Sequence, residues 1–186
     1  HDGREVVVKV TRPDIRSQIL QDFEILQWLG TSLEKRLEAA MKRCVEIKED
    51  VVAQDPTEKG IRKALNFGHT LGHAIESYFL ESKDKTTLLH GEAIAIGMIL
   101  ESFISLKKGL ISTAEYQQIK QTINSIYDKI VFEENDLDPI LELLIHDKKN
   151  EYGTIQFALI EGIGAIKINQ LVENELILEA FEDYKS

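Results

Sequence analysis

Apolar residues recur every three or four positions along most of this chain, which is the spacing of amphipathic helices. The pattern predicts helices over the ranges 14–29, 32–53, 61–80, 91–107, 112–127, 136–146 and 172–184. Shorter β-branched or alternating runs occur at 5–10, 154–160 and 163–168, and the last two flank Glu161-Gly162, which predicts a hairpin. The sequence therefore predicts a mainly α protein, a helical bundle with one small β-hairpin.

Two of these predicted helices have features that refine the prediction. The range 91–107 is apolar almost all round in its first half, so we expect it to be the central buried helix. Gly91 and Gly97 within it would let a neighbouring backbone approach closely. Ser112 and Glu115 predict a capping box for the next helix.

The range 61–80 has a polar face that is rich in chemistry. Its polar residues follow one another at intervals of three or four positions, so a continuous helix would place all five on one side: Arg62, Asn66, His69, His73 and Glu76. The opposite side would fix the helix to the core through Ile61, Leu65, Leu71 and Ile75.

Two imidazoles four residues apart on a helix can bind one metal ion, and neutral imidazole suits zinc, iron, copper or nickel. On spacing alone, His69 and His73 are such a pair, although a pair of this kind is also common without metal. His90 follows the polar loop 81–87 and is placed to reach back toward the first helix. A purely structural interpretation also stays open, in which His73 and Asn66 make hydrogen bonds within the bundle. Glu76 is then a surface carboxylate or one that orients a neighbour.

Charge and composition narrow the function. The 186 residues include 32 acidic and 22 basic side chains, a net charge of −10, which argues against nucleic-acid and anionic-membrane partners. The single cysteine, Cys44, excludes an internal disulfide and lies on the apolar register of its helix, so we expect a small core residue. These features and the lack of a long apolar run predict a cytoplasmic protein.

Two motifs in the sequence resemble those of a known enzyme family. The string R-x-x-L-N-F-G-H-T-x-G-H-A-x-E at 62–76, followed by L-L-H-G-E-A-I-A-I-G-M at 88–98, resembles the C-terminal helical domain of the 3-dehydroquinate synthases, in the sugar phosphate cyclase family. The strings I-K-E-D-V-V-A-Q-D-P-T-E-K-G-I-R at 47–62 and D-K-K-N at 147–150 fit the same family in order. The resemblance covers 31–186, which we take as one helical metal- and substrate-binding domain, after an N-terminal arm and helix at 1–30.

The resemblance implies an activity and its cofactors. Enzymes of this family convert 3-deoxy-D-arabino-heptulosonate 7-phosphate to 3-dehydroquinate and phosphate, a lyase step of the shikimate pathway toward aromatic amino acids. They use zinc or cobalt, and they use NAD, which is bound mainly by an N-terminal α/β domain. Residues 1–186 contain no G-x-G-x-x-G pattern of the kind that would indicate such a domain. We therefore expect the chain to be inactive alone, to bind a small sugar phosphate substrate, and to form a homodimer in the full-length protein.

The resemblance also implies residue roles. His69 and His90 match the metal ligands, and His73 matches a histidine that hydrogen-bonds in the substrate site. The remaining substrate contacts match Lys48, Arg62, Asn66 and Lys149.

The family's third ligand is a glutamate in a G-x-x-E-x-x-K pattern, whereas Gly3, Glu5 and Lys9 give G-x-E-x-x-x-K, in which the spacing is off by one on each side of the glutamate. We expect the true glutamate upstream of residue 1. The alternatives are another sugar phosphate cyclase, a glycerol dehydrogenase-like metal enzyme, and a non-catalytic helical interaction module.

Overall fold

The computed structural model describes residues 35–36, 38–148 and 155–186, and most of these are helical. The chain divides into two compact units between Asp50 and Val51. The predicted strand at 5–10, the helix at 14–29 and the domain boundary after residue 30 lie outside the described residues and stay predictions. No helix in the described ranges combines the length and the apolar character needed to cross a membrane.

In the first unit, the described residues 35–36 and 38–50 are helical. Met41, Cys44 and Val45 are exposed on this helix. The prediction that Cys44 is a core residue is therefore wrong. The apolar register that Cys44 shares with Met41 faces solvent, since Met41 is 60% exposed as well.

The described part of the second unit consists of helices and one hairpin. Residues 51–54 are helical, and the elements that follow are a 3-10 helix Ile61–Asn66, α1 His69–Glu81, α2 His90–Lys107, α3 Thr113–Asn124, α4 Glu134–Lys148, β1 Gln156–Ile160, β2 Ile166–Leu171 and α5 Asn174–Lys185. The two strands are antiparallel. The predicted class, a helical bundle with one small hairpin, is confirmed.

Helix α2 is the centre of the second unit, as its apolar composition predicted. It contacts α1, α3, α5 and β1, and its residues from Ala93 to Ser105 are buried apart from Met98, which is half-buried. At the start of α3, the Ser112 hydroxyl accepts from the Glu115 amide and the Glu115 carboxylate accepts from the Ser112 amide. The predicted capping box is thus confirmed.

The hairpin packs against the 3-10 helix. Phe157 pairs with Gln170 and Leu159 with Lys167, so β2 holds one extra residue between these pairs, a β-bulge. Asn169 lies in this bulge with φ of +56°, in the left-handed region that asparagine tolerates better than most residues. Its side-chain oxygen accepts a 2.8 Å hydrogen bond from the Lys63 ammonium group, which ties the bulge to the 3-10 helix.

A buried carboxylate joins three elements of the second unit. Asp136, near the start of α4, is 2% exposed and accepts hydrogen bonds from the Tyr78 hydroxyl at 2.6 Å and the Lys85 ammonium at 2.9 Å. Burial disfavours the charged carboxylate, but the bonds from Tyr78 and Lys85 outweigh it and hold the pKa of Asp136 below its usual value. Lys85 belongs to the loop that leads to His90, so this carboxylate anchors that loop.

Replacing this carboxylate should destabilise the fold in a pH-dependent way. We expect Asp136→Asn to lower the free energy of unfolding at pH 7 by about 2 kcal/mol, because it leaves a mostly buried lysine without its charge partner. A depressed pKa contributes stability above the unfolded pKa, and that stability is lost as the pH falls through the folded value. Urea unfolding should therefore show the difference between the two proteins shrinking below about pH 4.

The matched control is Glu133→Gln, which removes a carboxylate 3.5 Å from the same lysine but one that is 71% exposed. It should change the unfolding free energy by less than about 0.5 kcal/mol. If the effect of Asp136→Asn persisted unchanged at low pH, the charged carboxylate would not be the stabilising group.

Candidate metal and substrate site

Gly68 divides the predicted helix 61–80 into two parts. Its φ of +80° is in the left-handed region that glycine adopts without a side-chain penalty, and it separates the 3-10 helix from α1. The prediction of one continuous helix with five polar residues on one face is therefore wrong. Arg62 and Asn66 lie on the 3-10 helix, whereas His69 and His73 lie on α1. Ile61, predicted to face the core, is 51% exposed for the same reason.

The break follows from close contact between α1 and α2. A Cβ added at Gly97 would lie 2.0 Å from the Gly68 carbonyl oxygen and 2.8 Å from the Gly72 amide nitrogen. Only glycine therefore fits at position 97, as predicted. A Cβ at Gly91 would meet only the Tyr127 hydroxyl at 3.8 Å, so the predicted close approach is wrong there.

A buried carboxylate from α2 holds the start of α1. Glu101 is fully buried, and its two oxygens accept from the Gly68 amide at 2.7 Å and the Leu71 amide at 3.2 Å. The first amides of a helix lack partners within it, and the positive end of the helix dipole favours an anion there. His69 lies between these two anchored residues, so Glu101 fixes its backbone.

The structure brings three histidines together. His69 and His73 lie one turn apart on α1, and His90 is the first residue of α2. Their ring centroids form a nearly equilateral triangle with sides of 5.4, 5.6 and 5.7 Å, and one nitrogen of each ring lies within 4.8 Å of the other two. His69 is half-buried and the other two are exposed, so solvent reaches the cluster.

Two of the rings are oriented by oxygen acceptors. His69 Nδ1 lies 3.2 Å from the Phe67 carbonyl oxygen, and His90 Nδ1 lies 2.9 Å from Glu76 Oε2. A carbonyl and a carboxylate accept hydrogen bonds, so these contacts favour the tautomer in which Nδ1 of the neutral ring carries the proton and Nε2 has the lone pair. Neutral imidazoles held in this way suit zinc, cobalt and similar divalent ions, so the donor set fits such a metal.

A cleft between α1 and α4 opens beside the cluster. It has a volume of about 380 Å³ and is lined by Thr70, His73, Ala74, Glu76, Ser77, Glu81, Leu143 and Leu144. This volume is in the range of small-molecule sites. Because His73 lines the cleft, and Glu76 both lines it and contacts His90, a molecule in the cleft would lie against His73.

Arg62 and Asn66 converge on a different carboxylate. Glu58 Oε1 accepts from Asn66 Nδ2 at 2.8 Å, and Glu58 Oε2 lies 3.5 Å from Arg62 Nε. The loop beneath them is held by Asp55, which accepts from the amides of Gly60 and Arg62. The hydrogen bond from the Gly60 amide lowers the pKa of Asp55, so this anchor is ionised at neutral pH.

Comparison with known proteins decides the family. The model of the 3-dehydroquinate synthase C-terminal family matches residues 15–150. This chain belongs to that family. The 3-dehydroquinate synthase of Parabacteroides distasonis is 42% identical over 150 residues, which are 80% of this chain and 42% of that protein. The 3-dehydroquinate synthase of Helicobacter pylori strain G27 is 37% identical over 171 residues, which are 91% of this chain and 49% of that protein. The chain thus spans less than half the length of these relatives.

Solved structures of related cyclases share the fold. A 2-deoxy-scyllo-inosose synthase, solved with carbaglucose-6-phosphate, NAD+ and Co2+, superposes with a TM-score of 0.65 at 30% identity over 80% of this chain and 41% of that one. The 2-epi-5-epi-valiolone synthase of Streptomyces hygroscopicus subsp. jinggangensis 5008 has a TM-score of 0.60 at 23% identity, over 78% of this chain and 39% of that one. At this identity the similarity is one of fold. The mainly helical architecture is therefore that of the 3-dehydroquinate synthase C-terminal domain.

Two of the residues matched to the 3-dehydroquinate synthase motifs are not among the site residues described above. Lys48 is exposed on the helix of the first unit, and Lys149 lies outside the described residues. Their roles stay predictions, as do the separate roles of the three histidines. Sequence reasoning missed Glu101 and Glu58 altogether. For Glu101 a signal existed, since it is an acidic residue at the centre of the apolar helix α2, and such residues are seldom fully buried without partners.

The contact between Glu76 and His90 gives a direct prediction. Glu76→Gln should weaken Zn2+ or Co2+ binding by about 10- to 100-fold, because the carboxylate that orients the ring and raises its basicity is lost. Competition with a chromophoric chelator measures this affinity. Glu81→Gln is the control, since it removes the same charge from the same helix and from the wall of the same cleft. Equal affinities of the two variants would contradict an orienting role for Glu76.

Proposed function

We propose that this chain is the metal- and substrate-binding C-terminal part of a 3-dehydroquinate synthase, which converts 3-deoxy-D-arabino-heptulosonate 7-phosphate to 3-dehydroquinate and phosphate. The observation that carries this proposal is the convergence of three histidines from the two family motifs beside a cleft of small-molecule size. Curated relatives named 3-dehydroquinate synthase at 37–42% identity support the same reaction.

In this proposal His69 and His90 hold the divalent metal ion, zinc or cobalt. Such an ion lowers the pKa of a hydroxyl group bound to it and stabilises negative charge on the oxygen. The contribution of this chain is to orient both rings through their Nδ1 atoms, by the Phe67 carbonyl and the Glu76 carboxylate, so that each Nε2 is the nitrogen available to a metal ion. His73 then hydrogen-bonds the substrate from the wall of the cleft.

The substrate's anionic groups would be bound by the cationic and amide side chains of the family motifs. Arg62 and Asn66 converge on the carboxylate of Glu58, and this contact supports a role for both donors in binding an anionic group. A carboxylate or phosphate group of the substrate would take the place of Glu58. Lys48 and Lys149 would supply further positive charge.

NAD would be bound mainly by an N-terminal α/β domain of the full-length enzyme. That enzyme would be cytoplasmic and would form a homodimer. The net charge of −10 favours neither nucleic acid nor an anionic membrane as a partner.

Phosphate release tests the proposal. The complete protein, with NAD+, Zn2+ and 3-deoxy-D-arabino-heptulosonate 7-phosphate, should release phosphate and form 3-dehydroquinate, whereas the 186-residue chain under the same conditions should release none. The chain should still bind metal, which shows that it is folded. Turnover by the chain alone, or no turnover by the complete protein, would overturn the assignment.

A second candidate is a cyclase that acts on a different sugar phosphate. The 30% identity and shared fold with a 2-deoxy-scyllo-inosose synthase bound to carbaglucose-6-phosphate favour it. The two candidates separate when the complete protein is assayed with the heptulosonate phosphate and with glucose 6-phosphate. We expect turnover of the heptulosonate, because the relatives of higher identity bear that name.

A further inference from the structure

The two residues proposed to hold the metal ion are each the first residue of a helix, which is an unfavourable place for a cation. His69 begins α1 and His90 begins α2. The first amides of a helix lack partners within it, and the positive end of the helix dipole attracts anions and repels cations. A divalent ion bound to these two rings would therefore lie close to two positive helix ends.

A carboxylate is bound at the start of each of these helices. At α2 it comes from the first turn of the helix itself, where Glu92 accepts a 2.7 Å hydrogen bond from the Leu89 amide. The first turn of α1 contains no acidic residue. Its carboxylate comes instead from Glu101, which lies 33 positions after Gly68 on α2 and is fully buried.

We propose that Glu101 is a positioning residue of the metal site, which raises the affinity for Zn2+ or Co2+ without being a ligand. Its two oxygens accept from the Gly68 amide at 2.7 Å and the Leu71 amide at 3.2 Å, so it acts through the backbone and through its charge. The inference rests on the proposed function, in which His69 and His90 hold the ion.

The hydrogen bonds of Glu101 fix His69 from both sides along the chain. Gly68 directly precedes His69, and Leu71 follows it by two positions. Gly68 is the N-cap of α1 and has no side chain with which to cap the helix, so Glu101 supplies the acceptor. Because Glu101 belongs to the helix that His90 begins, it also joins the backbones of the two proposed ligands.

The charge of Glu101 has a second effect. A buried charge is screened by solvent and salt much less than an exposed one. The carboxylate therefore offsets the positive end of α1, where a cation would otherwise be disfavoured. Hydrogen bonding and charge both predict that replacement of Glu101 weakens metal binding.

Cobalt titration of the 186-residue chain and its variants is the test. Glu101→Gln should weaken Co2+ binding by about 10- to 100-fold, the range expected when a residue that orients metal ligands is replaced. The variant loses the charge and turns a side-chain N–H group toward a backbone N–H group. Glu101→Asp keeps the charge but has a shorter side chain, so it should cause a smaller loss of affinity than Glu101→Gln.

Two controls separate positioning from general effects. Ile177→Ala truncates a fully buried side chain on α5 and should destabilise the core, as urea unfolding would show, yet keep the original Co2+ affinity. Glu175→Gln removes one negative charge from the exposed first turn of α5 and should also leave the affinity unchanged.

The outcomes distinguish this inference from the proposed function. If Glu101→Gln binds Co2+ as tightly as the original chain, or if Ile177→Ala loses as much affinity, Glu101 is not a positioning residue. If Glu101→Gln does not fold, Glu101→Asp decides, and an unchanged affinity there has the same meaning. In each case a loss of binding in His69→Ala and His90→Ala leaves the proposed ligands standing. If the original chain binds no Co2+, or if both histidine variants bind it normally, the proposed metal site fails and this inference fails with it.

Discussion

Replacing His90 by alanine should lower the turnover of the complete enzyme by about 1000-fold. A metal ion that stabilises negative charge on a reacting oxygen contributes several kcal/mol, and about 4 kcal/mol corresponds to three powers of ten in rate. In the proposed function His90 is one of the two ligands of this ion; its ring contacts Glu76 and its backbone begins α2. Phosphate release at saturating substrate measures turnover, and metal analysis of the same sample measures occupancy.

Leu89→Ala provides the matched control for this variant. Leu89 directly precedes His90, is 71% exposed, and keeps its backbone hydrogen bond to Glu92 in the variant. It should retain full turnover and metal content. If His90→Ala retained more than about a tenth of the turnover, His90 would not be a ligand of the catalytic ion, since that loss is only about 1.4 kcal/mol.

Strong local patterns predicted the elements that do not depend on distant contacts. The apolar run 91–107 predicted α2 to within one residue at its start, because a helix that is apolar on all sides has to be buried. The capping box of Ser112 and Glu115 involves only residues three apart. The hairpin was also predicted, although its bulge at Asn169 was not, since that depends on the contact with Lys63.

The break at Gly68 could not be predicted from local pattern. The sequence around it has helical periodicity on both sides, and a single glycine inside a helix is tolerated at a cost of about 1 kcal/mol. What decides the conformation is the contact with Gly97 and the hydrogen bond to Glu101, both about thirty residues away. The motif did predict that His69, His73 and His90 belong to one site. The atoms that orient them, such as the Phe67 carbonyl, became known only from the structure.

The same contact that ends the 3-10 helix also sets the geometry of the histidine cluster. His69 immediately follows Gly68, and His90 begins the helix against which Gly68 packs. The distance between α1 and α2 therefore determines the distance between His69 and His90. It follows that a substitution at this contact should affect metal binding without touching any histidine.

Gly97→Ala should destabilise the second unit by about 3 kcal/mol and weaken its metal binding. The added Cβ would overlap the Gly68 carbonyl oxygen, and overpacking costs of this order arise when the obstructing atoms are backbone that cannot rotate away. The two helices would have to separate, which moves His69 from His90. Urea unfolding and cobalt titration of the same variant measure the two effects.

Gly91→Ala is the matched control, because it adds the same methyl group to the same helix. Its Cβ would meet only the Tyr127 hydroxyl at an ordinary 3.8 Å, and alanine is a better helix former than glycine by about 1 kcal/mol. This variant should be as stable as the original chain or slightly more so, with unchanged cobalt affinity. If Gly97→Ala matched Gly91→Ala in both measurements, close packing of α1 on α2 would not be what positions the ligands. If Gly97→Ala lost stability but kept full cobalt affinity, the histidine cluster would be independent of the helix spacing.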